Sequence, residues 1–159
     1  MRHSVLAAAA FLTTALPASA ETWGVSDAPS RLSTGQWTCI LWHGNGPPMM
    51  NITLMDDRNY ITVAAPQFAA VADGDEARID YATGRGGTIA LSKAADLPEA
   101  VFVFFPDGMV DAILDQFRAE GTFTLTSGEA SASFPVPGLD SGIAQLKACA
   151  DAIPEAEAE

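Results

Sequence analysis

Hydrophobic and polar residues alternate with a period of two along most of this chain. The clearest run is residues 36–42, where Trp37, Cys39 and Leu41 share one face and the residues between them share the other. Shorter alternating runs lie at 50–55, 60–64, 77–81, 88–92, 123–125 and 132–136. A period of two is typical of strands with one buried face, so the pattern predicts a mostly antiparallel sheet or sandwich.

Two features refine this prediction. Residues 101–105 are a continuous run of valine and phenylalanine, which is typical of a strand covered on both faces and therefore predicts an inner strand. The glycine-rich residues 84–87 separate the alternating runs 77–81 and 88–92. This spacing predicts a β-hairpin.

A helical period replaces the alternation in the segment after residue 106. Its apolar residues fall on a single stripe of a helix, at positions Met109, Val110, Ile113, Leu114 and Phe117. We expect Asp107 to cap the start of this helix and Gly121 to end it.

A second helix is predicted to begin near Asp140 or Ser141. Leu146, Cys149 and Ile153 then line up on its apolar side. Together the elements predict an α+β fold, in which a mostly antiparallel sheet or sandwich carries two helices.

The first twenty residues predict an export signal. Residues 1–3 are positively charged, residues 5–16 are mainly apolar, and residues 17–20 end in the small-residue pattern of a cleavage site, so we expect the mature chain to begin at Glu21. The apolar stretch is too short to span a bilayer. The expected organisation is a signal peptide over 1–20, a lead-in segment over 21–35, a single globular domain over 36–153 and an acidic tail over 154–159.

The charge of the chain is strongly negative, with 20 acidic and 8 basic residues. Loss of Arg2 with the signal changes the net charge from −12 to −13. Such a surface repels phosphate backbones, so nucleic acid is not an expected partner. No later segment has the roughly 20 continuous apolar residues of a transmembrane helix, so we expect no membrane insertion. The composition leaves the oligomeric state open.

The two cysteines, Cys39 and Cys149, are predicted to form a disulfide. An exported protein meets an oxidising compartment, and two cysteines with no third make one bridge the default. Both are predicted on core-facing positions, as a bridge that ties two elements together requires.

Residues for catalysis are scarce. Once the signal is removed, His43 is the one histidine of the mature chain, and neither a serine nucleophile motif nor a set of zinc ligands accompanies it. Two acidic pairs, Asp56 with Asp57 and Asp73 with Asp75, lie in predicted turns, where aspartate is common for backbone reasons. We therefore expect a non-enzymatic protein with no catalytic residues and no cofactor.

A copper site is the alternative that the sequence leaves open. His43, Met49, Met50 and Met55 cluster along the chain, and imidazole and thioether groups suit cuprous ion. The phase of the strand places Met50 on the core face, so packing is the competing interpretation of these methionines. The alternative function is therefore a carrier of a metal or of a small ligand.

Trp42 is the candidate interaction residue. It lies on the face opposite Cys39, which is predicted to be the outer face of the sheet. An exposed tryptophan is typical of a contact surface for a protein partner.

The second half of the chain resembles a known family. Residues 106–121 read PDGMVDAILDQFRAEG and residues 133–146 read SFPVPGLDSGIAQL, which gives a helix, paired strands and a short closing helix. Over about residues 100–150 this order resembles the invasion-associated locus B proteins that α-proteobacteria export. The resemblance implies a periplasmic, β-rich accessory protein of the bacterial envelope with a protein partner. That family commonly has further cysteines before the helix, where this chain has Phe105 and Asp107. The disulfide of this chain must therefore join different positions from those of the family.

Overall fold

The computed structural model describes residues 23–154, so the predicted signal peptide and residues 155–159 of the acidic tail lie outside it. The described residues form two α-helices, Val110–Leu114 (α1) and Asp140–Asp151 (α2), and two 3₁₀ helices, Pro66–Ala70 and Asp115–Phe117. Their strands are Trp23–Val25 (β1), Ser30–Arg31 (β2), Trp37–His43 (β3), Met49–Met55 (β4), Asn59–Ala64 (β5), Glu76–Asp80 (β6), Gly86–Ala90 (β7), Ala100–Phe104 (β8), Glu120–Ser127 (β9) and Ala130–Pro137 (β10). The predicted α+β fold is confirmed.

The first sheet has the strand order β1-β3-β4-β5-β8, and β2 pairs with the beginning of β3. All of its named strand pairs are antiparallel. The register aligns one buried residue from each of four strands in a single row: Leu41, Ile52, Ile61 and Val103. Because alternate residues of a strand point to the same face, this row defines the inner face of the sheet.

The second sheet has the strand order β10-β9-β6-β7. A tight turn through Gly128, with a φ of +57°, joins β9 to β10. Strands β6 and β7 pair antiparallel on either side of residues 81–85, so the predicted hairpin is confirmed. Phe123, Leu125 and Phe134 are buried on β9 and β10 and form the centre of this sheet's contribution to the core.

The buried faces of both sheets and the apolar side of α2 form one hydrophobic core. Helix α2 begins at Asp140, as predicted, and it buries Ile143, Leu146 and Cys149. The predicted bridge from Cys39 to Cys149 is present, with 6.0 Å between the two Cα atoms, and it fastens α2 to β3. No helix within residues 23–154 is long and apolar enough to cross a membrane.

The prediction for the first helix was wrong at both ends. Gly108 has a φ of +71°, so it forms a turn, and the N-cap is Met109 instead of Asp107. The helical residues end at Phe117, and Gly121 lies inside β9. There it passes so close to Ala82 that a side chain at position 121 would crowd the backbone of that residue.

The prediction that residues 101–105 form an inner strand was also wrong, because β8 is the last strand of the first sheet. Val101 and Val103 are buried, but Phe102 is half-buried and Phe104 is exposed. An apolar run therefore meets the core on one face only, and its two phenylalanines at alternate positions lie on the other face.

The connection between β5 and β6 contains a core residue that the sequence did not predict. Pro66–Ala70 form a 3₁₀ helix that begins with proline. Phe68 on this helix is fully buried. The helix packs against β8 and β10, so Phe68 joins the two sheets at that end of the core.

Candidate protein-interaction surface

The outer face of the first sheet, turned away from the core, carries a cluster of three aromatic rings, of which Phe104 is exposed and Tyr60 and Phe102 are half-buried. The register aligns Thr53, Tyr60 and Phe104 across β4, β5 and β8, and the next row places Thr62 beside Phe102. The centroid of the Tyr60 ring is 5.8 Å from that of Phe102 and 5.5 Å from that of Phe104. Both contacts are edge-to-face, the geometry that aromatic rings prefer.

These three rings line a groove of about 320 Å³, which we call the outer-face groove. Side chains from the β2–β3 connection, from the β4–β5 turn and from residues 92–94 complete its lining. Phe104 and Leu32, which both line the groove, are 39% and 40% exposed. Contiguous exposed apolar groups of this kind mark surfaces that contact other molecules.

None of the described residues that line the outer-face groove is acidic, in a chain with 20 acidic residues. Asp57, beside the groove, forms an ion pair with Arg58 at 2.8 Å and accepts a hydrogen bond from the side-chain amide of Gln36 at 2.6 Å. The hydrogen bond from Arg58 lowers the pKa of Asp57. Asp57 therefore stays ionised and paired at neutral pH.

Lys93 also lines the outer-face groove. Its Nζ donates to the carbonyl oxygens of Phe68 and Ala69, at 2.8 and 3.2 Å. Within residues 23–154 its ammonium group has no carboxylate partner. Lys93 therefore adds a basic side chain to the lining of the groove, with the Asp73 carboxylate on the backbone N–H of the same residue at 3.0 Å.

Trp42 lies on the same outer face, at the far end of the row that includes Phe102. It is half-buried, because its indole ring packs against Gly24 of the neighbouring β1. A Cβ atom at Gly24 would overlap this ring, so glycine at that position is required for the packing. A role of Trp42 in partner binding stays a prediction.

The candidate copper ligands are divided between the two faces of the first sheet. His43 and Met50 are cross-strand neighbours, both buried on the inner face. The His43 ring packs against Trp23 and Phe134, at centroid distances of 5.0 and 5.7 Å. Met49 and Met55 lie on the outer face by the alternation of β4, and Met55 lines the outer-face groove.

No group of three or more histidine, cysteine, aspartate or glutamate residues that could hold a metal ion occurs in the described part of the chain. Asp73 and Asp75 each accept a hydrogen bond from a backbone N–H group. Asp75 accepts a hydrogen bond from the backbone N–H of Ala72 at 2.8 Å, and Asp73 accepts one from the backbone N–H of Lys93 at 3.0 Å.

The sequence reasoning missed Tyr60, Phe102 and Phe104 as surface residues. A signal for the two phenylalanines lies inside the run 101–105, where valine and phenylalanine themselves alternate over residues 101–104. The valines lie on the core face, and Phe102 and Phe104 lie on the outer face. Because valine and phenylalanine are both apolar, the alternation does not appear as an apolar–polar pattern.

Comparison of the chain with protein-family models, with curated proteins and with solved structures finds no match in any of the three.

Proposed function

We propose that this protein is an exported, periplasmic and non-enzymatic accessory protein of the bacterial envelope, which binds an envelope protein through the outer-face groove. The observation that carries the proposal is the cluster of Tyr60, Phe102 and Phe104 in a groove without acidic residues. Aromatic side chains are enriched at protein interfaces, tyrosine is enriched among the few residues that carry most of the binding energy, and carboxylates are depleted there.

Two further observations support export. The first twenty residues have the composition of a cleaved signal. The bridge between Cys39 and Cys149 requires a compartment in which disulfides form and persist, such as the periplasm. The resemblance to the invasion-associated locus B proteins agrees with the same location and with an accessory role.

A substitution at Phe104 tests the proposal. We expect Phe104→Asp to reduce recovery of the envelope partner about tenfold or more, because the substitution places a charge where the partner's apolar side chains are buried. The measurement is chemical cross-linking in intact cells, followed by affinity purification and quantitative mass spectrometry.

The matched control is Met109→Asp, which introduces the same charge at a side chain that is 45% exposed and does not line the groove. We expect this variant to recover the partner as the wild type does, and both variants to remain folded at the temperature of the assay. Equal recovery by Phe104→Asp and the wild type would contradict the proposal.

The copper carrier is the second candidate, and the buried neighbours His43 and Met50 are the observation that favours it. A titration with cuprous ion compares the wild type with His43→Ala. If the protein is a copper carrier, the wild type binds one ion and the variant binds none. Binding that is unchanged in His43→Ala would rule out this site.

A further inference from the structure

We propose that the open edge of β7 is a strand-addition site for an extended, basic peptide segment of a partner. This inference goes beyond the outer-face groove and does not depend on it. In strand addition, an extended peptide pairs with the edge of a sheet, and backbone hydrogen bonds provide the affinity.

The backbone groups that point outward from β7 follow from its pairing with β6. The N–H of Tyr81 donates to the carbonyl of Arg85 at 2.8 Å, and the N–H of Leu91 donates to the carbonyl of Asp75 at 2.9 Å. Hydrogen-bonded and non-hydrogen-bonded pairs alternate along an antiparallel ladder. The residues of β7 that point away from β6 are therefore Gly86, Thr88 and Ala90.

These three residues present three N–H groups and three carbonyl groups at the edge of the sheet. No other described residue forms a hydrogen bond with these groups. Gly86, Gly87, Thr88 and Ala90 are all exposed. A guest strand thus finds a template that is free over the whole length of β7.

The edge of β10 is protected, unlike that of β7. The carbonyl of Pro135 accepts a hydrogen bond from the indole of Trp23 at 3.0 Å, and the carbonyl of Ser131 accepts one from Gln67 at 2.6 Å. Proline at positions 135 and 137 removes two donors. Little of this edge is left for a guest strand.

The edge of β8 is also protected. Ser92 and Phe102 exchange both of their backbone hydrogen bonds, at 2.9 and 2.8 Å. The N–H of Ala100 donates to Leu97 at 3.0 Å. Strand β1, at the other edge of the first sheet, has only three residues. Exposed edges are usually blocked by charge, proline or coverage, and β7 has none of these.

The charge beside β7 selects a basic guest. Ala90 pairs with Glu76, Thr88 with Arg78 and Gly86 with Asp80, so these two carboxylates and the guanidinium between them lie on the same face of the sheet as the small side chains of β7. Asp80 is held by Arg78 at 2.9 Å, but Glu76 has no ion pair within residues 23–154. A lysine of the guest strand opposite Ala90 can reach Glu76 across that small side chain.

A second copy of this chain fits the edge less well. Strand β7 contains no basic residue that could form an ion pair with Glu76 of a second copy. Two chains that each carry a net charge of −12 or more also repel each other as they approach.

The test uses a short synthetic peptide of alternating threonine and valine, with two lysines four positions apart, and measures its binding by fluorescence anisotropy. We expect Thr88→Pro to weaken binding about tenfold or more, because proline removes the central outward donor and obstructs the guest backbone. Thr88→Val keeps that donor, so its dissociation constant should stay within about twofold of the wild type. Glu76→Gln should weaken binding about three- to fivefold at low salt.

A second measurement covers the case in which Thr88→Pro does not fold. The wild type is titrated with two versions of the peptide. In an extended peptide alternate N–H groups point to opposite edges, and each version is N-methylated on the amides of one edge only. Loss of binding with one version and retention with the other supports strand addition. Equal binding of both versions would overturn it.

Three other results would also overturn the proposal. These are unchanged binding by folded Thr88→Pro, equal binding of a peptide with glutamate in place of lysine, and a dimer in sedimentation that Thr88→Pro dissociates. The last result would identify a second copy as the occupant.

Discussion

Replacing both cysteines, Cys39→Ala together with Cys149→Ala, should lower the free energy of unfolding by roughly 4–5 kcal/mol. The bridge closes a loop with a sequence separation of 110 residues, and a crosslink over a loop of this length removes much of the conformational entropy of the unfolded chain. Small domains have a net stability of only about 5–15 kcal/mol, so the variant should be marginally folded. Urea unfolding followed by circular dichroism measures the change.

The wild type under reducing conditions is the control for this prediction. It loses the crosslink without losing the two sulfur atoms from the core, where Cys39 and Cys149 are 0% and 4% exposed. Its loss of stability should be within about 2 kcal/mol of the loss in the double variant, because the remaining difference is the packing of two small side chains. A change below about 1 kcal/mol in both samples would contradict the view that the bridge holds α2 on the sheet.

Phe68→Ala should lower the free energy of unfolding by about 3–5 kcal/mol. The phenylalanine is fully buried in the 3₁₀ helix between β8 and β10, and its removal leaves a cavity that the surrounding strands cannot fill. The same denaturant titration measures the effect.

Leu97→Ala is the matched control for this substitution. Leu97 is 48% exposed in the connection before β8, so its removal should change the stability by less than about 0.5 kcal/mol. Similar effects of the two substitutions would show that Phe68 does not join the two sheets.

The sequence pattern was sufficient to predict the strands in which apolar and polar residues alternate, because the alternation identifies the buried face. The alternation of Trp37, Cys39 and Leu41 predicted β3 and its core face, and the register with β4 confirmed it. The glycine-rich residues 84–87 predicted the β6–β7 hairpin, because a short glycine-containing turn between two alternating runs is typical of a β-hairpin. The disulfide was predicted from the count of cysteines and from the predicted export signal.

The order of the strands could not be predicted, because a period of two reports which residues share a face and not which strands are neighbours. A fully apolar run such as residues 101–105 is compatible with an inner strand and with an edge strand whose alternate phenylalanines lie on the outer face, one half-buried and one exposed. Phe68 was missed for a related reason, since a single apolar residue in a loop-like segment has no period at all.

The candidate site depends on the same missing information. Tyr60 and Phe102 are 42 positions apart in the chain, and only the pairing of β5 with β8 brings their rings together. Trp42 was visible in the sequence as an outer-face residue, but its coverage depends on Gly24 of β1. The acid-free character of the groove likewise appears only when segments distant in sequence are assembled.

Site-specific photo-cross-linking in intact cells shows whether a partner touches the outer-face groove. A photoreactive phenylalanine analogue replaces Phe104 in one strain and Met109 in another, and the cross-linked products are identified by mass spectrometry. The account predicts that the analogue at position 104 traps one defined envelope protein, whereas the analogue at position 109 does not. Cross-links of equal yield from both positions, or none from position 104 in cells that contain the folded protein, would contradict the assignment of the outer-face groove as the docking surface.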